Sequence, residues 1–168
     1  MASSANPFLP GATPGAPFRF LGLPTVMLST GETTSGAFGL MEHSQMPPGF
    51  ASPYHMHHRE DEAFYVLEGE VAFISDGKWV LAGPGSYVFG PRLVPHGFMV
   101  AGSAPAKMLL LCSPAGFEHF VLAQAVDPAS PPAPPDMSRL MELAAAHGVD
   151  ILGPLPDPPA VIPRLARN

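Results

Sequence analysis

Residues 55–62 read His-Met-His-His-Arg-Glu-Asp-Glu. Three imidazoles, one guanidinium and three carboxylates crowd into this stretch of a chain in which only 13% of residues are charged. Imidazole nitrogen and carboxylate oxygen are the donors that borderline divalent metals take, among them Fe, Mn, Ni, Co, Cu and Zn. His55 and His57 are two apart, so on a strand both side chains leave one face, about 6.6 Å apart along the chain. Glu62 follows a short polar turn and heads the next apolar run. His96 stands far downstream, after Pro95, at the start of another strand-like run. Three histidines and one glutamate from separate strands can fill four positions around an ion and leave others open to substrate or water. The same eight residues also suit an ordinary solvated turn, and the short stretch alone does not separate the two.

The elements that must position these donors are short. The apolar runs 18–21, 25–29, 37–46, 63–67, 71–75, 78–81, 87–89, 97–100 and 107–112 are rich in β-branched and aromatic residues and bounded by Gly, Pro or Asp-Gly. Asp76-Gly77 joins two of them with two residues, a strong hairpin signal. Many short strands without a helical period between them predict an antiparallel sandwich or barrel. Helix is expected late, over 136–148, where an acid precedes apolar residues at helical spacing and Gly148 follows. A second short helix is expected over 117–125. Residues 1–17 hold four prolines and two glycines, and 128–135 read PASPPAPP. These are read as an extended arm and linker. The expected organisation is an arm over 1–17, a β-barrel over 18–127, and a linker, helix and tail over 128–168.

Composition excludes several function classes. Of the 168 residues, 46% are hydrophobic, which suits one domain with a real core. The net charge of −6 and the scattering of only eight bases argue against nucleic acid and anionic membrane as partners. The single cysteine, Cys112, lies in an apolar run and is read as a core residue. The N-terminus lacks a basic segment followed by an apolar one, and no run is long enough to cross a bilayer, so a cytoplasmic location is expected.

A wider frame surrounds the histidine stretch. Gly49, five residues, His55, one residue, His57, four residues, Glu62, six residues and Gly69 resemble the first motif of the cupin superfamily with nothing missing. Gly85, Pro91 and His96 resemble the second, with Leu93 in place of its inner glycine and Val100 in place of its asparagine. The stretches 57–70, 90–98 and 113–118, and the tail 147–154, are similar to the small bacterial quercetin 2,3-dioxygenases, and the likeness spans about residues 35 to 155.

The resemblance implies a jelly-roll barrel, all-β apart from its C-terminal helix. It implies one divalent transition metal per chain, held by His55, His57, Glu62 and His96. It further implies an oxygenase that cleaves a flavonol or similar enolic or phenolic aromatic with dioxygen, with Glu62 as ligand and general base. Inward alternation from the ligands nominates Phe64, Val66, Phe98 and Val100 as substrate-binding, and Phe38, Leu40, Phe73 and Phe89 complete an apolar interior. No Arg or Lys alternates inward near the ligands, which disfavours an anionic substrate. The other readings are a metal-dependent isomerase, cyclase, hydrolase or decarboxylase, and a non-catalytic binding module. His43 is read as facing either the pocket or solvent, with solvent slightly favoured, His58 as exposed or standing behind the ligands, and His119 and His147 as surface residues. Glu60 and Asp61 are read as a solvated turn, with Arg59 left as a candidate either to orient Glu62 or to stabilise the loop. Open sheet edges and the Pro-rich arm suggest a homodimer.

Overall fold

The computed structural model describes residues 15–131 and 133–166. Most of the arm, residues 1–14, lies outside them, and with it the expectation that the arm crosses a second subunit.

Eleven strands and two helices follow in chain order. They are β1 (Phe18–Phe20), β2 (Leu23–Ser29), β3 (Gly39–Met46), β4 (Tyr54–His57), β5 (Asp61–Glu68), β6 (Glu70–Ser75), β7 (Lys78–Ala82), β8 (Tyr87–Gly90), β9 (His96–Ala101), β10 (Ala106–Ser113), α1 (Phe117–Leu122), α2 (Met137–Ala146) and β11 (Val149–Gly153). They form two antiparallel sheets, a six-stranded one in the order β1-β2-β3-β10-β5-β8 and a five-stranded one in the order β11-β4-β9-β6-β7. Asp76 and Gly77, at φ 48° and 71°, join β6 to β7 in a two-residue turn whose positive φ angles match the twist of the strands.

Period-two burial places the core between the sheets. Along β10 the buried residues alternate as Ala106, Met108, Leu110 and Cys112, and along β5 as Glu62, Phe64 and Val66. A second apolar group, Ala72, Ile74 and Trp79, lies apart from that core and is covered by Tyr54, Leu155 and Ile162. Leu81 N–H donates to Pro163 O and Leu165 N–H to Leu81 O, so the C-terminal segment packs along β7.

The barrel therefore does not end at residue 127. β11 pairs with β4, with Val149 opposite His57 and Ile151 opposite His55. The tail thus supplies an edge strand beside the strand that carries two candidate ligands. Among the described residues no helix is long and apolar enough to cross a membrane.

Candidate metal centre

Three strands bring the four donors together. β4 carries His55 and His57, β5 carries Glu62, and β9 carries His96 directly opposite His55. One donor atom from each of the four lies within 4.8 Å of the others. Glu62 stands at the centre, with its Oε2 2.5 Å from His96 Nε2 and 3.7 Å from His55 Nε2. Its Oε1 is 3.5 Å from His57 Nε2. His57, Glu62 and His96 are buried and His55 nearly so.

The far side of each ring fixes what the near side offers. His55 Nδ1 donates to Pro53 O and His96 Nδ1 to Val94 O, both at 2.8 Å. Those carbonyls only accept, so both rings carry a proton on Nδ1 and turn Nε2 toward Glu62. His57 Nδ1 faces the Glu60 carboxylate at 3.4 Å. His57 Nε2 is buried with no hydrogen-bond partner. Such an orphaned atom carries a desolvation cost that a cation would relieve. Donor type, ring orientation and the orphaned nitrogen fit a divalent ion, which His55, His57, Glu62 and His96 would hold.

The electrostatics favour the same reading. Burial alone would push Glu62 up, but the neighbouring His57, His55 and His96 outweigh it and hold the carboxyl well below its ordinary range. Burial pulls His55 down despite Glu62. At His96 burial also pulls down, yet the hydrogen bond and charge of Glu62 prevail and leave it raised. A proton between His96 Nε2 and Glu62 Oε2 is what a cation would displace. Burial raises the Cys112 thiol well above its usual range, and its Sγ donates to Glu62 Oε1 at 3.6 Å.

Several surrounding residues stand where the sequence did not suggest. Glu60 is not a solvated turn residue: it is 3% exposed, tucked behind His57. Asp61 is held by Arg92, which donates from its backbone N–H, Nε and Nη2 at 2.8, 3.1 and 2.8 Å. That guanidinium lowers Asp61 to about 2. Arg59 is exposed and lies over Gly148 rather than against Glu62. His58 is exposed and pairs with Asp150 at 2.7 Å. His119 is exposed, while His147 is half-buried, bonded to Leu143 O and edge-on to Phe120. His43 does not face solvent; it is 3% exposed and looks into the cavity beside the centre.

That cavity, about 70 Å³ and partly open, is bounded by Glu62, His55, Phe64 and Phe98 where it meets the cluster. Leu110, Phe20 and His43 form its far wall, and Phe117 and Phe120 of α1, Leu140 of α2 and Ile151 of β11 close over it. Of the eight apolar residues expected to line it, Phe64 and Phe98 do. Val66, Phe73 and Val100 are buried in the core beneath. Leu40 is on the outer face of β3, Phe38 is half-buried before that strand, and Phe89 is 51% exposed on the outer face of β8, so these three do not line the cavity. The departures from the second motif are also visible. Leu93, where the motif has glycine, adopts φ 63° and is exposed, its N–H donating to His57 O.

Residues 42–112 match the protein-family model described as a cupin domain. Among solved structures, an RmlC-like cupin from Shewanella frigidimarina is 22% identical with a TM-score of 0.54, over 68% of this chain and 96% of that one. KdgF from Halomonas sp. is 18% identical with a TM-score of 0.52, over 58% and 84%. The Cnp3 cupin domain of Schizosaccharomyces pombe is 15% identical with a TM-score of 0.51, over 60% and 67%. At these identities the likeness speaks for the fold. No curated protein matches the chain in sequence. Residues 42–112 thus resemble a cupin domain, and the two antiparallel sheets have the jelly-roll fold seen in these solved structures.

Proposed function

We propose that the protein is a metal-dependent oxygenase of the quercetinase-like kind, acting with dioxygen on an enolic or phenolic aromatic. The observation that supports this most directly is the meeting of a buried three-histidine, one-carboxylate cluster with an aromatic-walled cavity. Among the described residues no Lys or Arg lines that cavity, so a carboxylate or phosphate substrate finds no counter-charge there. An enol or phenol arrives neutral and needs a base and a cation at one place.

Glu62 is the base, an ionised carboxylate whose position at the cavity wall lets it take the hydroxyl proton. His55, His57 and His96, each oriented from behind, would hold the metal together with Glu62. A bound divalent transition metal supplies the Lewis-acid centre that stabilises the resulting oxyanion and brings redox capacity toward dioxygen. Phe64 and Phe98 flank the substrate ring and exclude water. The enclosed space suits a chelating head group, and the rest of a three-ring flavonol would extend through the open side.

Oxygen uptake by metal-loaded protein mixed with a flavonol, tracking loss of the flavonol and absent in His96→Ala, is the expected result. Glu62→Gln should retain much of the metal and lose activity; retained activity would remove the base role. No uptake by protein shown to hold metal would move the assignment to an oxygen-independent isomerase, cyclase or hydrolase.

A further inference from the structure

One buried polar group in the cavity has no part in the metal centre. His43 lies on the inward face of β3, between Met41 and Met46. Its ring stacks on Phe20, with centroids 6.2 Å apart and planes at 21°. Its Nδ1 is 2.9 Å from Thr25 Oγ1, and that hydroxyl donates onward to Leu23 O at 3.0 Å. A hydroxyl has one proton and the carbonyl can only accept, so Thr25 Oγ1 must accept from His43 Nδ1–H. The neutral ring then has its lone pair on Nε2, which has no hydrogen-bond partner among the described residues. Burial lowers the ring to about 4 against the opposing pull of Glu62, so near neutral pH it is an acceptor and not a cation.

The rest of the cavity wall offers no competitor. Ser52 is already committed, its Oγ donating to Pro53 O and accepting from Phe98 N–H. The other lining groups outside the cluster have apolar side chains. A sheet that fixes a histidine tautomer through two successive hydrogen bonds, and leaves the opposite nitrogen facing an apolar cavity, has built an acceptor for something that enters.

We propose that His43 Nε2 is the second recognition point of the cavity. It accepts a hydrogen bond from a hydroxyl or N–H at one end of a compact, uncharged substrate whose other end carries the enol–ketone pair at the Glu62 cluster. The register supports that span. His43 is opposite Met108 and Glu62 opposite Cys112, on the two sides of β10. Four residues along β10 and two strand spacings across give about 16 Å between Cα atoms on a flat sheet. The sheet curves around the cavity, so the two inward side chains converge from this span, and the charge of Glu62 is felt at the His43 ring; one compact ligand reaching both is what the proposal requires. This inference rests on reading the cluster as a centre for enolic ligands.

The test uses cobalt-loaded, full-length protein and two probes that share a 3-hydroxy-4-pyranone-type chelating pair. Kojic acid carries a hydroxymethyl group across the ring from that pair; allomaltol carries a methyl group there. Binding is followed by the visible absorption of the cobalt and by calorimetry. The wild-type protein should bind kojic acid about tenfold more tightly than allomaltol, as one hydrogen bond into an apolar cavity predicts. In His43→Phe, which keeps a ring against Phe20, the ratio should fall to about one. His43→Gln, which retains an acceptor, should recover part of it. Thr25→Val, which removes the partner of Nδ1–H, should reduce it even if the His43 variants fold poorly. Equal binding of both probes by the wild type, or a ratio unchanged across these variants, overturns the role of His43 and leaves the metal reading intact. Cobalt-loaded protein that binds neither pyranone overturns the enolic reading of the centre and this inference with it.

Discussion

Glu60 reaches His57 from behind, its Oε2 3.4 Å from Nδ1, while the opposite nitrogen of the same ring faces Glu62. Both residues are buried, and the Phe117 ring packs edge-on against His57 with centroids 4.6 Å apart. A carboxylate behind a metal-ligating imidazole fixes its rotation and makes the forward nitrogen a better donor. His55 and His96 are backed by backbone carbonyls, so His57 is the candidate ligand among the three histidines whose orientation depends on a side chain.

Replacing Glu60 should therefore be felt at the metal. Glu60→Gln retains an acceptor and loses the charge; it should weaken cobalt or zinc binding about tenfold, and Glu60→Ala by up to about a hundredfold. Competition against a chelator of known affinity reads both. Unchanged affinity in Glu60→Ala would show that packing against Phe117 alone orients the ring.

The cluster of candidate ligands was legible in the sequence because its members form a nearly linear pattern. His55, His57 and Glu62 are separated by one strand alternation and one short turn, so local chain geometry already brings them close. Glu60 sits two residues from Glu62 in a run of charges, and nothing in HREDE tells which acid the chain folds inward. His43 was lost to a similar ambiguity. Leu40 and Met41 are both apolar, so period two alone does not say which face of β3 is inside. The same ambiguity at Val88-Phe89 put Phe89 on the wrong face. β11 was missed because its partner β4 lies about ninety residues earlier in the chain, and a five-residue strand after a proline linker and a helix has no local hairpin signal.

Glu118 tests what holds the cavity wall. It is fully buried and accepts from Gly31 N–H at 2.7 Å and Gly116 N–H at 2.6 Å, tying the loop before β3 to the start of α1. Glu118→Ala leaves two partly buried donors without their acceptor and should cost about 2 kcal/mol, lowering the melting temperature by roughly 4–8 °C. Glu118→Gln keeps one acceptor and should cost less. Thermal unfolding of the two variants gives the comparison, and an Ala variant as stable as the parent would place the anchoring of α1 elsewhere.

The burial of His43 predicts an acid sensitivity with a definite sign. Its folded value near 4 lies below the ordinary 6.5, because burial disfavours the charged ring. The unfolded chain therefore takes up this proton first as pH falls. The stability it contributes is present above about pH 6.5 and is lost between there and pH 4. At pH 4.5 the loss is about 2–3 kcal/mol. Urea unfolding of chelator-treated protein at pH 7 and 4.5 should show His43→Phe losing less stability than the parent by that amount. Equal losses would mean that the ring is already protonated in the fold.

Leu93 occupies a position where the backbone asks for glycine. At φ 63° an L side chain is strained by about 1–2 kcal/mol, and Leu93 is 58% exposed, so it recovers little by burial. Its N–H donates to His57 O at 2.8 Å, which any residue can do. Leu93→Gly removes the strain but adds freedom to the unfolded chain that costs roughly 0.5–1 kcal/mol. The net gain should be about 0.5–1 kcal/mol, seen as a higher urea midpoint with an unchanged slope, and metal affinity should not move. A loss of stability instead would show that the exposed leucine side chain is held by a contact worth more than the strain it bears.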